Sequence, residues 1–253
     1  MNADAIADQE LLDLLAAADP ADLGLLADYL TDNGAGRISM SSDICQLLTD
    51  AKNAGSFAPP ITRVMAAEIC RFGGNTLVNL FRGGRGVSYR TIVQDVASHL
   101  KIEVSEHDSV AQMENAIIAR FAEQAWTRMT ASERGDMLTT LGMPAGVGPA
   151  TLVAMLGAVR LGGPAAYAAT MLIANSVAQT LAGRGLAAVG ANVVGGRAIA
   201  ALAGPIGWVL TAIWTLYDLA SPAFRITVPC VVQIAYMRRK SSNLSTETSG
   251  NLI

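Results

Sequence analysis

From Met137 to Tyr217 the only charged side chains are Arg160, Arg184 and Arg197. They separate four uncharged runs, Met137–Val159, Leu161–Gly183, Gly185–Gly196 and Ala198–Tyr217. So much uncharged surface prefers neighbours other than bulk water, whether its own helices, another chain or lipid. Three of the runs reach the roughly 20 residues needed to cross a hydrocarbon core about 30 Å thick. Their composition weakens that case. Ala and Gly favour insertion less than Leu, Ile or Phe, and an arginine at the bilayer centre costs about 2.5–3.5 kcal/mol on insertion scales. Gly146, Pro149, Pro164 and Pro205 also interrupt the runs. Insertion is therefore expected to be marginal and conditional. Ala198–Tyr217 is the best candidate span, with Ile199, Leu202, Ile206, Val209, Leu210, Ile213 and Leu216 as its apolar body. Trp208, Trp214 and Tyr217 suit an interface. Small residues four apart, Gly142 with Gly146 and then Ala187, Ala191 and Gly195, predict closely approaching helices, in a bilayer, an oligomer or a compact soluble bundle.

Charge is distributed unevenly around this stretch. Residues 1–50 carry ten acidic side chains against the single Arg37, a net of −9, whereas residues 51–136 are at +1 and residues 137–253 at +5. The whole chain has a net charge of −3 and a pI near 5.4, against the basic footprint of a nucleic-acid binder. Hydrophobic residues make up 51%, which excludes wholesale disorder. Cys45, Cys70 and Cys230 are far apart and fit a reducing compartment as core residues. The first residues are acidic, with no positive segment ahead of an apolar one. The expected location is the cytoplasm or the cytoplasmic face of the inner membrane.

The first 136 residues read as helices. Asp8–Ala18 has a leucine face, Asp19-Pro20 starts a second helix, and Thr31–Gly36 breaks it. Ser42–Lys52 is a third, and Ile61–Phe72 leads to a glycine stop at Gly73-Gly74. Asn75–Arg82 is read as a short helix. Ser88 is an N-cap for Tyr89–Leu100, and a Ser105–Ser109 loop precedes Val110–Thr130. The expected fold is all-α: a multi-helix head over 1–136, an apolar Ala/Gly-rich helical hairpin or bundle over 137–240, and a flexible tail over 241–253.

Few residues offer chemistry. Arg82-Gly83-Gly84-Arg85-Gly86, with Arg90 just inside the next helix, fits an anion or headgroup, or a basic glycine turn between helices. No P-loop pattern accompanies it. Arg238-Arg239-Lys240 follows the apolar Val228–Met237 and fits anionic headgroups, at about 1 kcal/mol per basic residue near a surface, or a solvated helix end. Asp95 and His99 share a helical face and are expected to pair. Ser105 or Asp108 is expected to cap the turn around His107. No nucleophile context, H-E-x-x-H or C-x-x-C occurs. No catalytic residue, metal or cofactor is expected, and the chain reads as a non-enzyme.

One block is more specific. Arg71-Phe72-Gly73-Gly74-Asn75-Thr76-Leu77-Val78-Asn79-Leu80, continued by Arg82, Gly83, Gly86, Tyr89, Asp95-Val96 and Leu100, resembles the bacterial YaaW-like family, also linked by name to a ubiquinol–cytochrome c chaperone-like domain. Ala21–Asn33 resembles that family's first helix, and Phe121 with Trp126 its middle helix. Arg225-Ile226-Thr227-Val228-Pro229, Gln233-Ile234-Ala235 and Arg238-Arg239 form a second similar block. The resemblance covers most of 21–136 and 224–240, while 137–220 agrees in character more than in residues. It brings no settled activity, and its chaperone-like label implies protein interaction near membrane complexes.

Three functional classes follow. The leading one is a membrane-associated, non-enzymatic protein that binds a partner through its helical head, with membrane lipid and a protein partner or second copy as ligands and no nucleic acid. The others are a conditional pore former or toxin-like effector, and a soluble helical interaction protein.

Overall fold

Local signals account for most helix ends. The computed structural model describes residues 8–37, 40–73, 86–144, 146, 148–182 and 224–250. Among the described residues every regular element is an α-helix, ten in all. The chain divides into two compact units, Met1–Val96 with Leu219–Gln233, and Ala97–Asp218 with Ile234–Ile253. The change of composition at Asp136 falls inside a helix.

In the first unit, α1 (Gln9–Ala16) starts at Asp8, whose carboxylate accepts the Glu10 N–H at 3.1 Å. Its buried Leu11 and Leu15 lie on the side that packs against α4 (Pro59–Gly73). Between them, α2 (Pro20–Thr31) opens on a proline whose missing N–H costs nothing at that position. From Leu25 to Thr31 each of its residues is buried, which makes α2 the centre of the unit, against α4 and α3 (Ser42–Ala54).

The chain leaves α2 through Asp32 and Asn33, both at positive φ, then Gly34 and Gly36. Arg37 folds back and donates from Nε to the Leu30 carbonyl and from Nη2 to the Tyr29 carbonyl, each at 3.1 Å. Those carbonyls have no partner further along their own helix, so a cation at this end satisfies both hydrogen bonding and the dipole. Gly73 ends α4 where α5 (Tyr89–His99) crosses closely: a Cβ there would lie 2.3 Å from Ile92 Cγ1. Only glycine fits.

In the second unit, α6 (Val110–Arg128) begins with a capping box between Ser109 and Gln112, and α7 (Ala131–Thr140) with one between Thr130 and Glu133. Arg134 Nε donates to the Trp126 carbonyl at 2.9 Å, and its guanidinium lies over the Trp126 ring. The uncharged run after Asp136 is split by a loop, after which α8 (Pro149–Leu161) and α9 (Pro164–Ala182) turn through 93° at Gly162-Gly163. Both pack on α6 and on each other. Gly142, at φ +67°, and Gly146 lie in that loop, so their spacing of four serves no helix-to-helix groove.

The last helix, α10 (Phe224–Gly250), is buried at every position from Ile226 to Met237. Its backbone stays helical through Ser241–Gly250, where polarity predicted a flexible tail. Extending a helix already anchored by a buried segment costs far less than nucleating one. The expected helix over Asn75–Arg82, the candidate span Ala198–Tyr217 and the Ala187–Gly195 stripe lie outside the described residues.

Candidate functional site

The basic turn of α10 is built into the second unit rather than projected from it. Glu114 lies on α6 among Val110, Met113, Ile117 and Phe121, all buried, and is itself 2% exposed. Arg238 reaches it with Nε 2.8 Å from Oε2 and Nη2 3.4 Å from Oε1, a forked arrangement that offsets the cost of burying the carboxylate. Next to Glu114, Asn115 donates from Nδ2 to the Arg160 carbonyl at 3.3 Å, holding the end of α8. Arg239 lies against the corner between α8 and α9, with Nη1 2.9 Å from where a Cβ on Gly162 would stand. Gly162, at φ 99° and ψ −164°, is in a region essentially reserved for glycine. Burial pushes the Arg239 pKa down, Glu114 opposes that and Arg238 adds to it. Lys240 Nζ stands 5.8 Å from the centre of the Tyr236 ring, which stacks on Tyr167 of α9.

The corner beside Arg239 is apolar and open. Helix α8 buries Met155 and Val159, and turns Ala150, Val153, Ala154 and Leu161 outward along one stripe. Val153 is 69% exposed and Leu161 90%. A helix apolar on both faces normally sits in a core or in lipid. No single described helix is long and apolar enough to cross a membrane. The bent pair Pro149–Leu161 with Pro164–Gln179 meets that test only when its two parts are taken together.

Among residues 8–54 of the head, the exposed carboxylates are Glu10, Asp13, Asp19, Asp32, Asp43 and Asp50. Both bases among residues 8–54 are committed: Lys52 pairs with the buried Asp28, and Arg37 is bound to the end of α2 with Asp32 nearby. A surface cleft of about 510 Å³ between α1 and α4 is lined by Gln9, Leu12, Asp13, Ala16, Pro59, Thr62 and Arg63. Deeper in this unit, Gln233 Nε2 lies 3.5 Å from Asp22 Oδ1, and Glu68 is buried with Arg71 at 2.6 Å from Oε1. Desolvation raises the Glu68 pKa more than Arg71 lowers it. Burial pushes the thiols of Cys70 and Cys230 up to about 11 and about 12.

Of the six basic residues singled out in the sequence, Arg82 and Arg85 lie outside the described residues. Arg90 is half-buried in the first turn of α5. Arg238, Arg239 and Lys240 come together with Glu114 and the α8–α9 corner. Glu114 and Leu161 were missed. The signal for Glu114 was its place on the apolar stripe of α6, and the signal for Leu161 was a large residue directly before a glycine pair. The loop around His107 is held as expected, with Asp108 accepting the Ser105 N–H at 2.7 Å and Ser105 Oγ accepting that of His107 at 3.2 Å. Asp95 and His99 are both half-buried on α5. Among the described residues no three His, Cys, Asp or Glu side chains are grouped to hold a metal ion.

Comparison with known proteins bears out the YaaW-like resemblance. The chain is 32% identical over 199 residues to a UPF0174 protein of Helicobacter pylori, covering 76% of this chain and 95% of the relative. A second protein of that name from the same organism is 27% identical over 239 residues, 93% of each chain. The UPF0174 protein YaaW of Escherichia coli is 25% identical over 248 residues, 96% of this chain and 98% of the relative. No solved structure matches significantly. The sequence profile of the family described as ubiquinol-cytochrome C chaperone matches residues 72–232, from the end of α4 into the buried segment of α10, and the chain belongs to that family.

Proposed function

We propose that the chain is a non-enzymatic, chaperone-like interaction protein that works at a membrane surface and binds a protein partner through its helical head. The observation that carries the membrane reading is the outward stripe of α8, where Val153 and Leu161 remain exposed on a helix without acidic residues. Monomeric proteins rarely leave contiguous apolar surface uncovered unless something binds it. The family description supports a protein partner. The acidic outer faces of α1 and α3 supply a head surface of opposite sign to a basic partner, and the cleft between α1 and α4 opens beside them. A cytoplasmic membrane face fits the basic turn of α10, since anionic lipid there attracts arginine and lysine. Flotation of the full chain with liposomes is the test. The expected result is recovery in the lipid fraction, and recovery of all protein at the bottom of the gradient for every lipid composition overturns the membrane reading.

A further inference from the structure

We propose that the α8–α9 corner is an in-plane anchor for anionic phospholipid: Leu161 and Val153 enter the acyl boundary while Arg239, Arg160 and Lys240 meet the phosphodiesters. This rests on the membrane reading and gives it a place, an orientation and a lipid class.

Geometry supplies the apolar part. The 93° turn places Leu161 at the tip of α8 with Gly162, Gly163 and Pro164 beyond it, so the most exposed large apolar side chain among the described residues stands where two helices diverge. A helix lying in the interface, with a few large side chains buried among acyl chains, needs no 20-residue span. This agrees with the absence of a single crossing helix among the described residues.

Charge complementarity selects the occupant. Glu114 is already engaged by Arg238, yet a second guanidinium, Arg239, stands beside it against Gly162. The cluster therefore carries more positive than negative charge. Arg160 is exposed next to Leu161, and Lys240 is one residue beyond Arg239. Residues 137–182 contain no acidic side chain to neutralise them. Half-buried, Arg239 loses hydration and is repelled by Arg238, and an anionic oxygen placed at the corner relieves both effects. Long basic side chains suit this position because their stems follow apolar surface while their heads reach the phosphates. Arg238 is excluded from lipid contact by its commitment to Glu114.

The test uses the full chain with vesicles of phosphatidylcholine alone and vesicles containing phosphatidylglycerol. Leu161→Glu is expected to weaken flotation on both by roughly ten- to hundredfold, the worth of one buried leucine. Arg239→Gln is expected to weaken binding about fivefold on anionic vesicles only. Leu47→Glu, at a 39% exposed leucine of α3, is the control and is expected to change nothing. Circular dichroism checks that each variant keeps its helices. If the unaltered chain floats and Leu161→Glu floats equally well, the anchor is refuted while membrane association stands. If the unaltered chain floats on neither vesicle, the membrane reading itself has failed. A lipid-free dimer that Leu161→Glu dissociates refutes the anchor by giving the stripe to a second copy.

Discussion

The Glu114–Arg238 pair offers a quantitative test of how the second unit is held together. Glu114 is 2% exposed and Arg238 17%, so the carboxylate depends on its counter-ion more than the guanidinium does. Arg238→Met leaves Glu114 buried without its fork, and breaking such a pair costs about 3–5 kcal/mol. Arg239 also attracts Glu114, which places the expected loss near the lower figure. Glu114→Leu leaves Arg238 partly hydrated and is expected to cost less. Replacing both by apolar residues of similar volume is expected to come within about 1 kcal/mol of the original, because the desolvation cost of both charges disappears with their attraction. The double-mutant cycle then yields a coupling of at least about 2 kcal/mol. Urea unfolding followed by helical circular dichroism measures it. With slopes of about 1–3 kcal/mol per molar, Arg238→Met shifts the midpoint of the affected transition down by about 1–3 M. Additive losses in the double variant, or a loss below about 1 kcal/mol for Arg238→Met, refute the view that Glu114 is a buried charge needing this partner.

Other consequences are simpler to check. Glu68 has its pKa raised by burial, so its protonated form fits the fold better and native stability falls as pH rises through the folded-state value. Glu68→Gln is expected to be more stable than the original at pH 8, with the advantage shrinking toward pH 4, in paired urea titrations. An equal difference at both pH values contradicts this. Native labelling with a thiol reagent, read by mass spectrometry, is expected to modify the half-exposed Cys45 first and to reach Cys70 and Cys230 only on unfolding. Fast modification of all three refutes the burial. Gly73→Ala places a Cβ 2.3 Å from Ile92 Cγ1 and is expected to cost about 1–3 kcal/mol by overpacking, as a lower denaturation midpoint. An unchanged midpoint shows that Ile92 moves aside freely.

Features set within a few residues of one another could be read in advance. Asp8, Ser88, Ser109 and Gly73 act at the helix ends where their types and neighbours placed them, and an all-α fold followed from the spacing of leucines and valines. What stayed hidden involves partners far along the chain. Glu114 and Arg238 are 124 positions apart, and Asp22 and Gln233 are 211 apart. Nothing near Asp22 or Asp28 signalled that these two acids of a highly acidic segment would be interior. The basic turn after Met237 was read as a surface feature because its charges were visible and its counter-charge, on α6, was not. Gly142 and Gly146 matched a helix-packing spacing while lying in a loop, since a spacing rule assumes the helix it is meant to reveal.

The path of α10 also dictates when the protein can be completed. Its segment up to Gln233 belongs to the same compact unit as the first 96 residues, yet it leaves the ribosome only after the more than one hundred residues in between. Through most of translation Asp22 awaits Gln233, and the leucine-rich interior around α2 lacks one of its walls. Domains ordinarily close in the order in which they emerge. Here the earliest helices must wait, exposed to other hydrophobic segments and to the cell's holding factors, until the segment up to Gln233 has been made.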